Sequence, residues 1–266
     1  MSRGQGSEEF AATVNLGLLG VIYTYTLRVE PMFNLHMSMT TSGSSSGGTL
    51  RSSLSVSALP AKPSRSGPRV IRPSLEIIFM KFVAAHPSSA LFINCLLYKA
   101  IGGKSNEEVL KAPNATHYKT GIDNVPCVDL EMAFKVNDDF SSVVVAWNYV
   151  IDQLYEYAGR GEFPFNLTME MRFVKSSTML MSAAYDTDPE AIYCMIEVLS
   201  VNKTPGFEEF SSKMAKFWMD NFQARPHWAK MWEHVPGIVP YLRRQASERF
   251  DRFEAIRKST IPRACS

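Results

Sequence analysis

Positions 41 to 68 carry ten Ser, four Gly and three Pro, 17 of 28 residues, together with Arg51, Lys62 and Arg65 and no acid. A stretch so poor in large apolar side chains cannot bury enough surface to offset the entropy of ordering it. It therefore divides the chain of 266 residues into pieces that must find their cores separately. The expected organisation is a leading piece at 1–40, a disordered linker at 41–73, a folded domain at 74–258 and a short tail at 259–266. Outside the linker the composition is that of a packed globular protein, with 45% hydrophobic and 20% charged residues overall.

Charge and cysteine usage exclude several classes of function. The 28 Lys and Arg against 26 Asp and Glu leave a formal charge of +2, which gives no electrostatic footprint for nucleic acid, and no nucleic-acid partner is expected. Cys95, Cys127, Cys194 and Cys265 are scattered and form no Cys-x-x-Cys pair, which argues against a zinc site or a dense disulfide framework and for reduced, mostly buried thiols. Met1 to Phe10 has no basic region leading into an apolar run, so no secretory signal is read and the N-x-T sequons at Asn114, Asn166 and Asn202 are taken as chance matches. The most apolar run, Ala90 to Tyr98, is about half the ~20 residues of a spanning helix. With the apolar segments from Leu75 to Ile101 it leaves two expected locations, the membrane surface and the cytoplasm.

Periodicity supplies the elements. Gly17 to Val29 alternates as a strand entered through Gly20. Pro73 to Ala85 and Ser88 to Ile101 read as apolar helices separated by Pro87, and Asn106 to Lys111 as a short polar helix. Pro126 to Val136 alternates as a strand. Asp138 and Asp139 stand where a helix cap belongs, ahead of a stripe of Phe140, Val143, Val144, Trp147, Val150, Ile151, Leu154 and Tyr155 that ends near Gly159. Phe165 to Lys175 and Ala191 to Val201 read as strands, and Phe207, Phe210, Met214, Phe217 and Trp218 mark a helix before the break at Pro226. This order predicts an α+β fold, an antiparallel sheet flanked by helices and covered on one face. Gly102-Gly103-Lys104 lacks the spacing of a phosphate-binding P-loop.

Two constellations can carry chemistry. In Asn166 to Phe173 a period of two sets Leu167, Met169, Met171 and Phe173 on one face and Asn166, Thr168, Glu170 and Arg172 on the other. Glu170 and Arg172 then lie about 7 Å apart at Cα, a carboxylate acceptor and a guanidinium donor aimed into the same space. That pair can grip a polyhydroxylated substrate, and the same spacing fits a solvated charge pair on an open sheet face. Downstream, Arg225-Pro226-His227-Trp228-Ala229-Lys230 runs into Met231-Trp232 and His234. So many aromatic, imidazole and cationic groups suggest a pocket wall, with Lys230 beside an electron-rich ring; Trp228 and Trp232 at i and i+4 equally fit the core face of a helix. His227 and His234 have no helically spaced acid or cysteine, so no metal is expected.

These segments resemble a known family. GLLGVIYTYTLRVEPMFNL is similar to the end of the flavin domain in the sugar-1,4-lactone oxidases, the family of L-gulonolactone oxidase and D-arabinono-1,4-lactone oxidase. The MEMRF strand and the RPHWAK turn resemble that family's substrate-domain motifs, and CVDLEMAF, MLMSAAYD and YCMIEVL occur in the family's order, so the likeness covers roughly residues 10 to 36 and 74 to 258.

The resemblance implies a vanillyl-alcohol-oxidase-type flavoprotein that uses FAD, with 1–40 as the last part of the FAD-binding domain and 74–258 as an antiparallel-sheet substrate domain. It implies that Glu170 and Arg172 hold the lactone hydroxyls and that Lys230 lies against the flavin pyrimidine edge, as catalytic residues. It further implies that Gly20, Val21 and Ile22 approach FAD with their backbone, while His227 and Trp228 shape the cofactor pocket beside Lys230. The expected reaction is hydride transfer from a carbon of a sugar lactone to the flavin N5, with oxygen or another acceptor taking the electrons. An alditol oxidase is the nearest alternative chemistry, and a catalytically silent sugar-binding module is the alternative of another class. The family's glycine-rich pyrophosphate loop has no counterpart in these residues, and 259–266 diverge from the family's ending, so the chain by itself is expected to bind FAD weakly or not at all.

Overall fold

In the computed structural model, residues 126–167 and 169–260 are described in full. Added to these are the backbone of 34–42, 51–59 and 106–111 and the separate residues 11, 13, 14, 16, 18, 19 and 86. The helices expected at 73–85 and 88–101, and most of the strand expected at 17–29, lie outside these residues. Contacts divide the chain into two units, Thr26–Pro126 on the one hand and Met1–Tyr25 with Cys127–Ser266 on the other.

The unit Thr26–Pro126 contains a three-stranded antiparallel sheet in the order β2-β1-β3, with β1 at Asn34–Ser42, β2 at Arg51–Leu59 and β3 at Asn106–Lys111. Strand β2 corrects the expectation of a disordered linker there. Its serines conceal an alternation, Leu54, Val56 and Ala58 against Ser53, Ser55 and Ser57, which suits a pleated strand and which composition alone hides. Strand β3 corrects the short helix expected at the same positions. Six residues make fewer than two helical turns, too few to repay nucleation, whereas pairing from Asn34↔Lys111 to Met39↔Asn106 gives the backbone groups that face β1 their partners.

The second unit holds β4 (Cys127–Lys135), α1 (Ser141–Gly159), β5 (Met169–Lys175), β6 (Ile192–Val201), α2 (Phe207–Phe222), β7 (Arg225–Pro226), α3 (Ile238–Gln245) and α4 (Ser247–Thr260). Its four strands form an antiparallel sheet in the order β5-β6-β4-β7. The fold is α+β, as the element order predicts. Period two turns Leu130, Met132 and Phe134 of β4 and Cys194, Ile196 and Val198 of β6 to one face, where they meet Val143, Ala146 and Val150 of α1 and Phe210, Met214 and Trp218 of α2. Trp218, fully buried, donates from Nε1 to the Ala146 carbonyl at 3.2 Å and ties the two helices together.

The apolar stripe of α1 is narrower than its sequence suggests, because Val144 and Tyr155 are exposed while Ala146 takes their place inside. Its cap also differs from expectation. Phe140 occupies the cap position with a left-handed φ of 58°, and Asp139, one residue earlier, accepts the Ser141 N–H at 3.0 Å. Helix α2 is entered through Gly206 at φ 79°, a conformation that a Cβ would strain. Among the described residues no helix is long and apolar enough to cross a membrane.

Candidate active site

The opposite face of the four-stranded sheet carries the charges. Register places Glu170 of β5 opposite Glu197 of β6, and Glu197 opposite Glu131 of β4. Three carboxylates thus share one row across three strands, an arrangement that repels unless cations intervene. Arg172 and Lys230 supply them. Arg172 Nε donates to Glu131 Oε1 at 2.7 Å, and its Nη2 lies 3.6 Å from Glu197 Oε2. Lys230 Nζ donates to Asp129 Oδ2 and to Glu197 Oε1, each at 2.6 Å.

Lys230 reaches this row because its segment runs along the sheet edge. Arg225 and Pro226 pair with Ala133 and Met132, an edge position at which a proline without an N–H is tolerated. The His227 N–H then donates to the Glu131 carbonyl at 2.9 Å and the Met231 N–H to the Asp129 carbonyl at 3.0 Å. Between them a turn closes from the Lys230 N–H to the His227 carbonyl at 3.0 Å.

The cluster is electrostatically uneven. Burial pushes the Glu197 carboxyl up, to about 7, and outweighs the pull of the Lys230 hydrogen bond, while the Glu131 carboxylate adds to the push. One ammonium shared between Asp129 and Glu197 cannot neutralise both. For Lys230 burial works against the charge, yet its two carboxylate partners hold it well above the ordinary lysine range. Burial likewise opposes the Arg172 charge, and Glu131 wins. Glu131 itself is fully buried. Its Oε2 has no hydrogen-bond partner among the described residues and lies 4.0 Å from His227 Nδ1, which accepts the Ala229 N–H at 3.3 Å.

Of the residues singled out from sequence, Glu170, Arg172 and Lys230 share one face and His227 lies at its rim. The direct Glu170–Arg172 pair does not form, since the guanidinium turns to Glu131, leaving Glu170 exposed with no hydrogen bond or ion pair to any described residue. Trp228 donates from Nε1 to the Met181 carbonyl and meets Trp232 edge to face at 5.4 Å. Residues 228–234 form turns, so the tryptophans pack together without the helix that i and i+4 spacing suggested. With Leu16, Leu242 and Phe250 they line an apolar cavity of about 540 Å³. His234 pairs with Ser211 Oγ at 2.8 Å and has no part in the charged row. Gly20, Val21 and Ile22 lie outside the described residues. Asp129, Glu131 and Glu197 were missed. Their signal was a charge inside otherwise apolar strands, CVDLEMAFK and IYCMIEVLSV.

A family model described as D-arabinono-1,4-lactone oxidase matches residues 127–265, more than half of the chain. The chain belongs to the D-arabinono-1,4-lactone oxidase family. The match spans every element of the charged sheet, so this lactone oxidase family member carries the family's region where the candidate site lies. A comparison with curated protein sequences returns no match. Among solved structures, the cholesterol oxidase from Brevibacterium sterolicum superposes with a TM-score of 0.57 at 15% identity, over 84% of this chain and 51% of that one. A mutant of that oxidase gives 0.54 at 14% identity over 96% and 54%, and a solvent-stable cholesterol oxidase gives 0.52 at 12% over 85% and 51%. At such identities the likeness is one of fold, and the chain spans about half the length of these structures.

Proposed function

We propose that this chain forms the substrate side of an FAD-dependent oxidase acting on a hydroxyl-bearing carbon of a sugar-1,4-lactone. The observation that carries the reading is the Arg172 guanidinium, fixed by buried Glu131 next to Lys230 and to unpartnered Glu170 on the charged face of the sheet. Family membership supports the chemistry. Glu170 has its acceptors free for sugar hydroxyls. Arg172 spends part of its five-donor fork on Glu131 and keeps the rest for a lactone oxygen. Glu131 acts as the positioning residue that aims the fork.

Lys230 fits a flavin. An ammonium has three N–H donors, two go to Asp129 and Glu197, and the third can serve an electron-rich carbonyl edge such as that of the pyrimidine ring. FAD, when bound, supplies the acceptor for the hydride leaving the substrate carbon, and oxygen or another acceptor then takes the electrons. His227 and Trp228 serve as wall rather than as donors, the indole N–H being already engaged by Met181. The same reading keeps the backbone of Gly20, Val21 and Ile22 as a close neighbour of the cofactor and 1–40 as part of its domain.

The test joins this chain to a FAD-binding domain of the family so that it holds flavin, mixes it anaerobically with D-arabinono-1,4-lactone and follows loss of flavin absorbance. Glu170→Gln is expected to slow that reduction by on the order of 10² or more at unchanged flavin content and melting temperature. Unaltered reduction rate and substrate affinity in this variant would remove the strand from the site.

A further inference from the structure

Away from the Lys230 row, a second cavity of about 550 Å³ opens at the other end of β4, where Lys135 closes the strand. Arg225 and Arg249 converge on it. Arg225 Nη2 donates to the Tyr185 carbonyl at 2.9 Å and its guanidinium sits 5.1 Å from the Tyr193 ring centroid. Arg249 Nη1 donates to the Leu180 carbonyl at 3.0 Å, and its guanidinium lies 4.4 Å over the Tyr185 ring. Each is therefore oriented by one carbonyl and one aromatic face.

Neither guanidinium forms an ion pair with a described carboxylate. Asp186, in the same wall, is taken by Lys135 at 2.9 Å and by the Tyr193 hydroxyl at 3.1 Å. Glu248 lines the cavity as well, without pairing to either arginine. Burial and the nearby Arg225 charge together lower Arg249 to about 10, the mark of a cation short of compensation. Two fixed guanidiniums in a shared cavity, neither of them ion-paired to a described acid, are arranged for an anion from outside the protein.

We propose that this cavity binds a phosphorylated small molecule, its phosphate oxygens between Arg225 and Arg249. Two guanidinium forks match a tetrahedral dianion, whereas a carboxylate is satisfied by one. The volume exceeds what a bare ion needs and lies in the range of ligand pockets, about 300 to 1,000 Å³. Gln223, Gln245, Thr187 and Ser247 supply the amides and hydroxyls that would meet a hydroxylated organic part. The site is independent of the oxidase reading.

The test is calorimetric titration of the full chain with inorganic phosphate, ribose 5-phosphate, ribose and acetate at constant ionic strength, alongside ¹⁵N spectra of the arginine Nε–H groups. Saturable binding of phosphate, at least tenfold tighter binding of ribose 5-phosphate, no binding of ribose, and shifts at Arg225 and Arg249 are expected. R249Q should weaken ribose 5-phosphate at least tenfold while keeping its melting temperature in phosphate-free buffer. Should R249Q fail to fold, R249K keeps the charge and loses the fork, and the same weakening is expected. An equal response to acetate, binding that survives both variants, or arginine shifts confined to Arg172 would each overturn the proposal.

Discussion

Removing either member of the Arg172–Glu131 pair leaves a different residue behind. Arg172→Ala strands a carboxylate that is fully buried, and because the guanidinium it loses is half-exposed the cost stays below the about 3–5 kcal/mol of a fully buried pair. Glu131→Gln removes the buried charge and leaves a guanidinium whose side chain is 53% exposed, so water takes over and the loss is on the order of 1 kcal/mol. Urea denaturation of both variants checks this; equal losses would show that Arg172 does not hold Glu131. Glu197 gives a pH dependence. Its folded-state pKa of about 7 exceeds its ordinary 4.5, so between those values the fold binds a proton that the unfolded chain has released, and stability falls as pH rises through that window. Glu197→Gln should flatten the wild-type decline in urea midpoint between these pH values, and a slope unchanged by the substitution would rule Glu197 out as its source. Period two set Glu170 and Arg172 on one polar face and the family resemblance singled out Lys230, but the partners of Arg172 and Lys230 were not legible. Arg172 meets Glu131 across 41 positions of sequence and Lys230 meets Asp129 across 101, distances that only strand register sets and that no local pattern encodes.

Among the elements, those with a long, clean period were legible and those without were not. Strands β4, β5 and β6 and helices α1 and α2 each present one apolar face to a common core, so local pattern and packing agree. Within α1 the stripe over-counted, since a sequence of consecutive valines does not say which one turns inward. Val150→Ala, at a fully buried position, should cost about 0.5–2 kcal/mol, whereas Val144→Ala, 56% exposed on the same helix, should stay within about 0.5 kcal/mol. Thermal unfolding of the pair reads the difference directly, and a larger effect at Val144 would mean the helix is rotated about its axis. Strand β2 was hidden for the opposite reason, its alternating Leu54, Val56 and Ala58 submerged in a serine count. Strand β3 was misassigned because six polar-rich residues have no period to speak of, and their pairing with β1 is a decision of the partner strand.

At the scale of the whole chain, one unit is assembled from two stretches, Met1–Tyr25 and Cys127–Ser266, and the other from what lies between. Ala11, fully buried, packs with Leu180, Met181 and Phe253. A charge there would sit among apolar side chains, so Ala11→Asp is expected to destabilise this unit by several kcal/mol. All four tryptophans, Trp147, Trp218, Trp228 and Trp232, fall in Cys127–Ser266, which makes their fluorescence a reporter of that unit; an unchanged tryptophan-monitored melting curve for Ala11→Asp would show that the leading stretch contributes nothing to it. The same division sets a timetable. A ribosome adding about 5–20 residues per second delivers Ala11, and then needs roughly 8 to 34 s more to deliver Leu180, the first of the buried side chains beyond the leading stretch that share its cluster. During that interval the leading stretch has left the ribosome with its core unmade, while the strands of Thr26–Pro126 are already available to pair among themselves. The charged sheet cannot close until β6 and β7 have been made, and a nascent chain stalled before Leu180 would be a client for chaperones with that sheet still open.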